Sequence, residues 1–356
     1  MMKRTIALAS LICLPAIANA EDFLKPYILT DIGWNTTNNI GGEQEYHYQE
    51  GRLSPNFFGL KGEKSLADGY KGFFKLESGY SLEDFRITGH GVFSRQAYGG
   101  LKTPYGDISV GKQWDFMFET LSAERWGKNL GYVSLFQTHA GPFNLGLPFG
   151  SIDYNRIAGG FPTGNAVKYK TPSLNGTVLG AMYAEGDKDS SNNFGRTTGY
   201  SAAYSEGPLR LTAAYTNAEH KSINSGRDGI ENYGAGFAYE FGSVVLDGLY
   251  TRTNNTYTDA GIDSYLLGLL VPLNDKSGFY TNYAYMDGNA KLGNASANQL
   301  GVTYFYNLNR YLLGYVTGVY QVTGGSEQNA YVAGAYGVSD AREQSVVQVG
   351  LRFYYE

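Results

Sequence analysis

The chain has 356 residues, with 33 acidic against 28 basic side chains, 48 glycines, 31 tyrosines and one cysteine. A mean hydropathy of −0.31, with no run of about eighteen apolar residues after the amino terminus, excludes a helical membrane protein. The net charge of −5 offers no general attraction to nucleic acid.

Residues 1–20 carry Lys3 and Arg4, an apolar run from Ile6 to Leu14 and the closing word Ala18-Asn19-Ala20. This is the pattern of a secretory signal peptide, and its apolar run is too short to cross a bilayer. Cleavage leaves residues 21–356, which is 356 − 20 = 336 residues, with 28 − 2 = 26 bases against 33 acids. Cys13 lies in the discarded segment, so the remaining chain has no thiol to mispair in an oxidising compartment.

From Pro26 onward the chain breaks into alternating segments of about nine to eleven residues, the length of a tilted strand crossing a bilayer. The first five are expected at 26–34, 54–64, 70–79, 93–102 and 107–113. The stretch 114–164 then interrupts the rhythm, and it is far longer than an ordinary loop. Trp114, Phe116, Phe118, Trp126, Tyr132, Phe136, Phe143, Phe149 and Phe161 make it too aromatic for a disordered segment. It is expected to fold into the lumen of a barrel and narrow it.

Strands resume at 165–171, 176–184, 198–206, 208–217, 232–241, 243–252, 263–272, 278–287, 298–307, 310–321 and 345–355. In the ninth, Leu209, Leu211, Ala213 and Tyr215 share one face, and Arg210, Thr212, Ala214 and Thr216 share the other. The inner faces are polar or only glycine, which suits lipid outside and water inside. Connectors alternate between tight turns, such as Glu206-Gly207, and long polar loops, such as 184–197, 218–231, 253–262 and 322–344. The last strand sets Val347, Val349, Leu351, Phe353 and Tyr355 on one face and pairs back to the first, removing the sheet edge. The expected fold is therefore all-β: a 16-stranded antiparallel transmembrane β-barrel with long external loops and an inward-folded third loop.

No catalytic residues are expected. His47, His90, His139 and His220 all fall in loops, and neither a Gly-x-Ser-x-Gly nor a His-Glu-x-x-His word occurs. The spacing offers no metal site, and no cofactor is implied.

Phe58-Gly59-Leu60-Lys61-Gly62-Glu63, Phe74-Lys75-Leu76-Glu77-Ser78-Gly79, the 93–102 segment, Gly111-Lys112-Gln113, Val167-Lys168-Tyr169-Lys170 and the aromatic last strand resemble the general porins of Gram-negative outer membranes. The resemblance implies an outer-membrane homotrimer, reached through the periplasm, whose protomers each hold a water-filled pore for ions and small hydrophilic solutes. It also implies contact with outer-membrane lipid and lipopolysaccharide, and recognition of the last strand by the barrel-assembly machinery. The third loop would form the constriction, with wall bases facing loop acids. Arg95, Lys112 and Lys170 match wall bases of the family, parity adds Lys168 and Lys75, and Glu119, Glu124 and Asp153 are the loop acids.

Three departures stand out. Asn56-Phe57-Phe58 lacks a base found in many members, Leu147-Pro148-Phe149-Gly150 lacks the loop glutamate, and the chain closes on Tyr354-Tyr355-Glu356 rather than phenylalanine. Without the glutamate the constriction leans positive, and weak anion preference is expected. The alternative is a substrate-specific channel for oligosaccharides or another nutrient, with lumen aromatics such as Phe57, Phe73 and Tyr354 stacking on the solute. A structural barrel without a pore fits less well, because 336 residues make a wall too wide for side chains to fill.

Overall fold

The computed structural model describes residues 23–89, 91–134, 137, 143, 162–186, 194–326 and 329–356. The expected signal peptide therefore lies outside the described residues. One antiparallel sheet closes on itself: Leu24–Ile40 pairs with Glu343–Tyr355 from Ile28↔Tyr355 to Thr37↔Val346. Closure satisfies the backbone donors and acceptors that an open edge would leave bare in hydrocarbon.

The sheet has 18 strand segments, but two continue a neighbour. Leu24–Ile40 pairs with Phe57–Ala67 along its first half and with Glu43–Glu50 along its second, so those two segments form one interrupted stave. Ile87–Thr88 and Gln96–Thr103 likewise share Tyr70–Tyr80. The wall thus has 18 − 2 = 16 staves, and each of the sixteen expected windows falls on one.

The interruption at 51–56 is pinned to the lumen face. The fully buried Asp31 accepts from the backbone of Leu53 at 2.6 Å and Ser54 at 3.1 Å, and from the Tyr315 hydroxyl at 2.7 Å. Its own backbone N–H donates to Asn56 Oδ1 at 2.6 Å.

The faces follow the two-residue rhythm. Val349 and Leu351 are 57% and 44% exposed, whereas Gln348 is fully buried. A charge on the outer row would sit in hydrocarbon, so the greasy row has to be continuous.

Two features differ from the sequence-based expectation. Several staves run past their windows; the first reaches Ile40 and turns at Gly41 and Gly42, both at positive φ. Beyond the hydrocarbon the outer face needs no apolar row, so the ladder from Trp34↔Tyr48 to Ile40↔Glu43 continues without apolar alternation. The 322–344 connector, expected as an external loop, turns back into the barrel mouth. Val332 and Ala335 cluster with the inward Val319 and Val346, and the backbone of Tyr331 and Val332 donates to Gln321 and Gln344 at 2.7 and 2.8 Å.

Leu211→Arg should cost about 2 to 4 kcal/mol, the penalty for a base facing mid-bilayer lipid. Thr212→Ala, on the lumen face, should stay within about 1 kcal/mol. Urea-unfolding midpoints in lipid vesicles read both, and equal losses would contradict the facing assignment.

Candidate pore constriction

Three short helical turns, Phe116–Phe118, Glu119–Glu124 and Gly127–Tyr132, carry the third loop away from the Gly106–Gln113 strand and into the lumen. Asp115 starts them by accepting from Phe118 N at 3.2 Å, an N-cap that satisfies a donor with no helical partner. Phe116, Met117 and Leu121 are fully buried, although they belong to a loop.

What buries them is the glycine-rich inner wall. A Cβ on Gly180 would lie 2.5 Å from the Phe116 ring, one on Gly234 would lie 3.0 Å from Leu121, and one on Gly236 would lie 2.8 Å from Arg125. A Cβ on Gly301 would come within 2.6 Å of Gln137. These positions are seats for loop side chains as well as room for water. Changing Gly236 therefore disturbs an anchor of the loop, where its sequence suggests only a lumen lining.

Polar contacts complete the anchoring. Arg125, fully buried, pairs with Asp247, donates from Nε to Leu121 O at 2.7 Å, and lies 4.2 Å over the Trp126 ring. Tyr280 donates its hydroxyl to the other Asp247 oxygen at 3.3 Å. Tyr132 stacks on Phe305 with ring centres 4.0 Å apart, and Arg352 donates to Gly131 O at 2.6 Å. Farther along, Gln137 accepts from the Thr303 hydroxyl at 2.8 Å, and its carbonyl accepts from Asn282 at 2.7 Å. Asp153 and the Leu147-Pro148-Phe149-Gly150 word lie outside the described residues.

Loop and wall together enclose a cavity of about 990 Å³. Lys75, Arg95, Lys168, Lys170 and Glu119 all line it, and Glu124 reaches it through Lys170. Arg95 donates to Glu77 Oε1 at 2.7 Å, and Lys75 lies 3.2 Å from the other Glu77 oxygen, which also accepts from the Tyr27 hydroxyl at 3.0 Å. The Arg95 guanidinium sits between the Phe57 and Trp114 rings, 4.9 and 5.3 Å from their centres. Lys168 pairs with Glu119, while Lys170 reaches Glu119 at 2.8 Å and Glu124 at 2.6 Å. Lys112 shares the parity of the exposed Ile108 and Val110, beside a register irregularity at Gly111, and does not line the cavity.

Glu119 belongs to the loop rather than to a spanning strand. Burial pushes its carboxyl up, but Lys168 and Lys170 outweigh burial and hold it down at about 2.

Sequence reasoning missed Glu77, Lys102, Arg125, Lys128, Asp247 and Arg352. Glu77 and Asp247 are acids at inner parity in strands, so the alternation that located Lys75 also points to them. Arg352 faces the lumen by the same rule. Arg125 and Lys128 sit in loop turns without a periodic signal, and nothing in the sequence marks them.

Arg125→Ala leaves the buried Asp247 carboxylate without its countercharge, an expected loss of about 3 to 5 kcal/mol. It should also raise single-channel conductance by loosening the loop. Arg125→Met with Asp247→Leu removes both charges, should recover most of the stability and should keep the raised conductance. Denaturation and planar-bilayer recordings check the two readouts.

A profile of the Gram-negative porin family matches residues 7–326. An outer membrane porin protein of Bordetella pertussis is 25% identical over 377 residues, covering 90% of this chain and 94% of that one. Outer membrane porin F of Salmonella typhimurium is 24% identical over 311 residues, covering 78% of each. Among solved structures, an anion-selective porin from Comamonas acidovorans superposes with a TM-score of 0.75 at 22% identity, over 93% of this chain and 99% of that one. With a family match across most of its length and a closed sixteen-stave wall around an inward loop, the chain belongs to the Gram-negative porins, the diffusion channels of the outer membrane.

Proposed function

We propose that this porin passes ions and small hydrophilic solutes with a weak preference for anions. The carrying observation is the charge on the cavity. Among the described residues Lys75, Arg95, Lys102, Lys128, Lys168, Lys170 and Arg352 line it against Glu77, Asp107 and Glu119, and Glu63 and Glu124 pair with two of these bases, so 7 − 5 = 2 positive charges are in excess. A wide wet pore discriminates ions through such fields, and salt screens them with a Debye length of about 10 Å at 0.1 M. Arg95, Lys75, Lys168 and Lys170, with Glu119 and Glu124, are proposed as the charged ring of the constriction. Removal of the signal peptide, homotrimer formation, contact with lipopolysaccharide and assembly through the last strand belong to the same proposal and rest on family membership.

A stacking track for sugars fits the cavity less well. The faces of Phe57 and Trp114 are occupied by Arg95, Lys102 lies over Phe73 at 5.7 Å, and Tyr354 is tied to Glu356. The faces of Phe57, Trp114 and Phe73 thus serve cations of the protein, and these described residues form no continuous apolar row.

In a KCl gradient across a planar bilayer, the reversal potential should fall on the chloride side and shrink as salt rises; a potassium-side value would overturn the proposal. Glu119→Gln should move it further toward chloride, by the same amount at about pH 7 and about pH 4.5. A carboxyl held down at about 2 stays charged above that value and is neutralised only as pH falls through it. A Glu119→Gln effect that vanished at the lower pH would contradict the assigned ion pairs.

A further inference from the structure

Most of the cavity bases are already committed to carboxylates of the protein itself. Lys75 and Arg95 share Glu77, Lys168 and Lys170 share Glu119 with Glu124, and Lys102 pairs with Glu63. A permeating anion approaching them meets a nearby negative partner in each case. Among the described residues, the cavity bases with no carboxylate at ion-pair distance are Lys128 and Arg352.

These two lie on the same wall. Lys128 and Gly131 belong to the 3-10 turn Gly127–Tyr132, in which residues three apart eclipse one another. Lys128 therefore stands over Gly131, whose carbonyl accepts from Arg352 Nη1 at 2.6 Å. Lys128 is exposed to the cavity, and the buried Arg352 Nε donates to no protein group. Asp31 is the register partner of Arg352 on the adjoining strand and its charge acts on the guanidinium, but the two form no ion pair, and the Asp31 oxygens accept from Leu53, Ser54 and Tyr315. Leu53 and Leu130 line the same wall, and low-polarity neighbours strengthen the attraction of a charge for its counter-ion.

Building on the anion preference proposed above, we infer that Lys128 and Arg352 form the site where a small monovalent anion dwells during passage. The paired bases hold the loop and the shape of the pore. The family-matched wall bases then act mainly as fixtures, and the selectivity of this chain comes from one loop lysine and the closing strand.

Chloride is the probe, read by single-channel recording in symmetric and asymmetric KCl. Lys128→Gln and Arg352→Gln should each lower the chloride-to-potassium permeability ratio by about two- to fivefold, the effect of one charge a few ångströms from an ion in a wet channel. The double substitution should abolish the preference and turn a conductance that saturates with KCl into one that rises linearly. Arg352→Lys keeps the charge while changing the Gly131 contact, so it should retain the preference. Arg196→Gln with Glu219→Gln removes an ion pair away from the cavity and should leave the ratio within about twofold. Heat-modifiable migration on a gel confirms that each variant is folded. A wild-type channel that prefers chloride, with the preference intact in the Lys128→Gln and Arg352→Gln double variant, would overturn this inference alone. A potassium-preferring wild type would instead overturn the proposed function.

Discussion

The structure depends on one constraint: a sheet inside hydrocarbon must give every backbone hydrogen bond to a neighbouring strand. The ladder between Leu24–Ile40 and Glu343–Tyr355 meets it, and closure divides each stave into a row facing lipid and a row facing the lumen. Such a wall is too wide and too uniform to discriminate solutes by itself. Discrimination has to come from what the wall holds inside, and here that is a loop seated on glycines. Small residues at Gly180, Gly234, Gly236 and Gly301 let Phe116, Leu121, Arg125 and Gln137 approach the backbone closely. The loop is thereby packed like a core while lying in a channel.

Charge inside the barrel serves two ends. The Arg125–Asp247 pair is buried, and such a pair gains little net stability because desolvation offsets most of the attraction. Breaking it is costly, which makes it an effective device for fixing the loop in one place. The pairs around the buried Glu77 and the partly exposed Glu119 keep long basic side chains against the wall instead of across the pore. Arg95 is held further by the Phe57 and Trp114 rings. Fixing the bases in this way separates the charges that shape the opening from those left to meet an ion.

Most of the wall was legible in the sequence because alternation is imposed by the bilayer and recurs in every stave. Leu211 and Thr212, or Val349 and Gln348, reveal their faces from parity alone. The hairpin beyond Trp34 was not legible, since outside the hydrocarbon nothing requires alternation. The inward course of the last connector was also hidden. Its seat is made by single inward valines, Val319 and Val346, within otherwise polar rows. In the constriction, parity pointed to Lys75 and Lys168, the family match pointed to Arg95 and Lys170, and parity points equally to Glu77. It could not place Lys128 or Arg125, whose positions come from irregular turns packed on the opposite wall. The glycines were legible as an inner row, but their purpose was not, because a seat is defined by the side chain that occupies it.

The central claim is that the first part of the third loop is held against the glycine-bearing inner wall and does not move aside during conduction. Residues 21–356 contain no cysteine, so Tyr132→Cys on the loop and Phe305→Cys on the wall, whose native rings stack with centres 4.0 Å apart, can be joined by a short thiol-reactive linker without competing thiols. A cross-link should form in folded protein in the membrane, and single-channel conductance should be the same before and after it. Failure to cross-link in correctly folded protein, or a large change in conductance on cross-linking, would contradict the account.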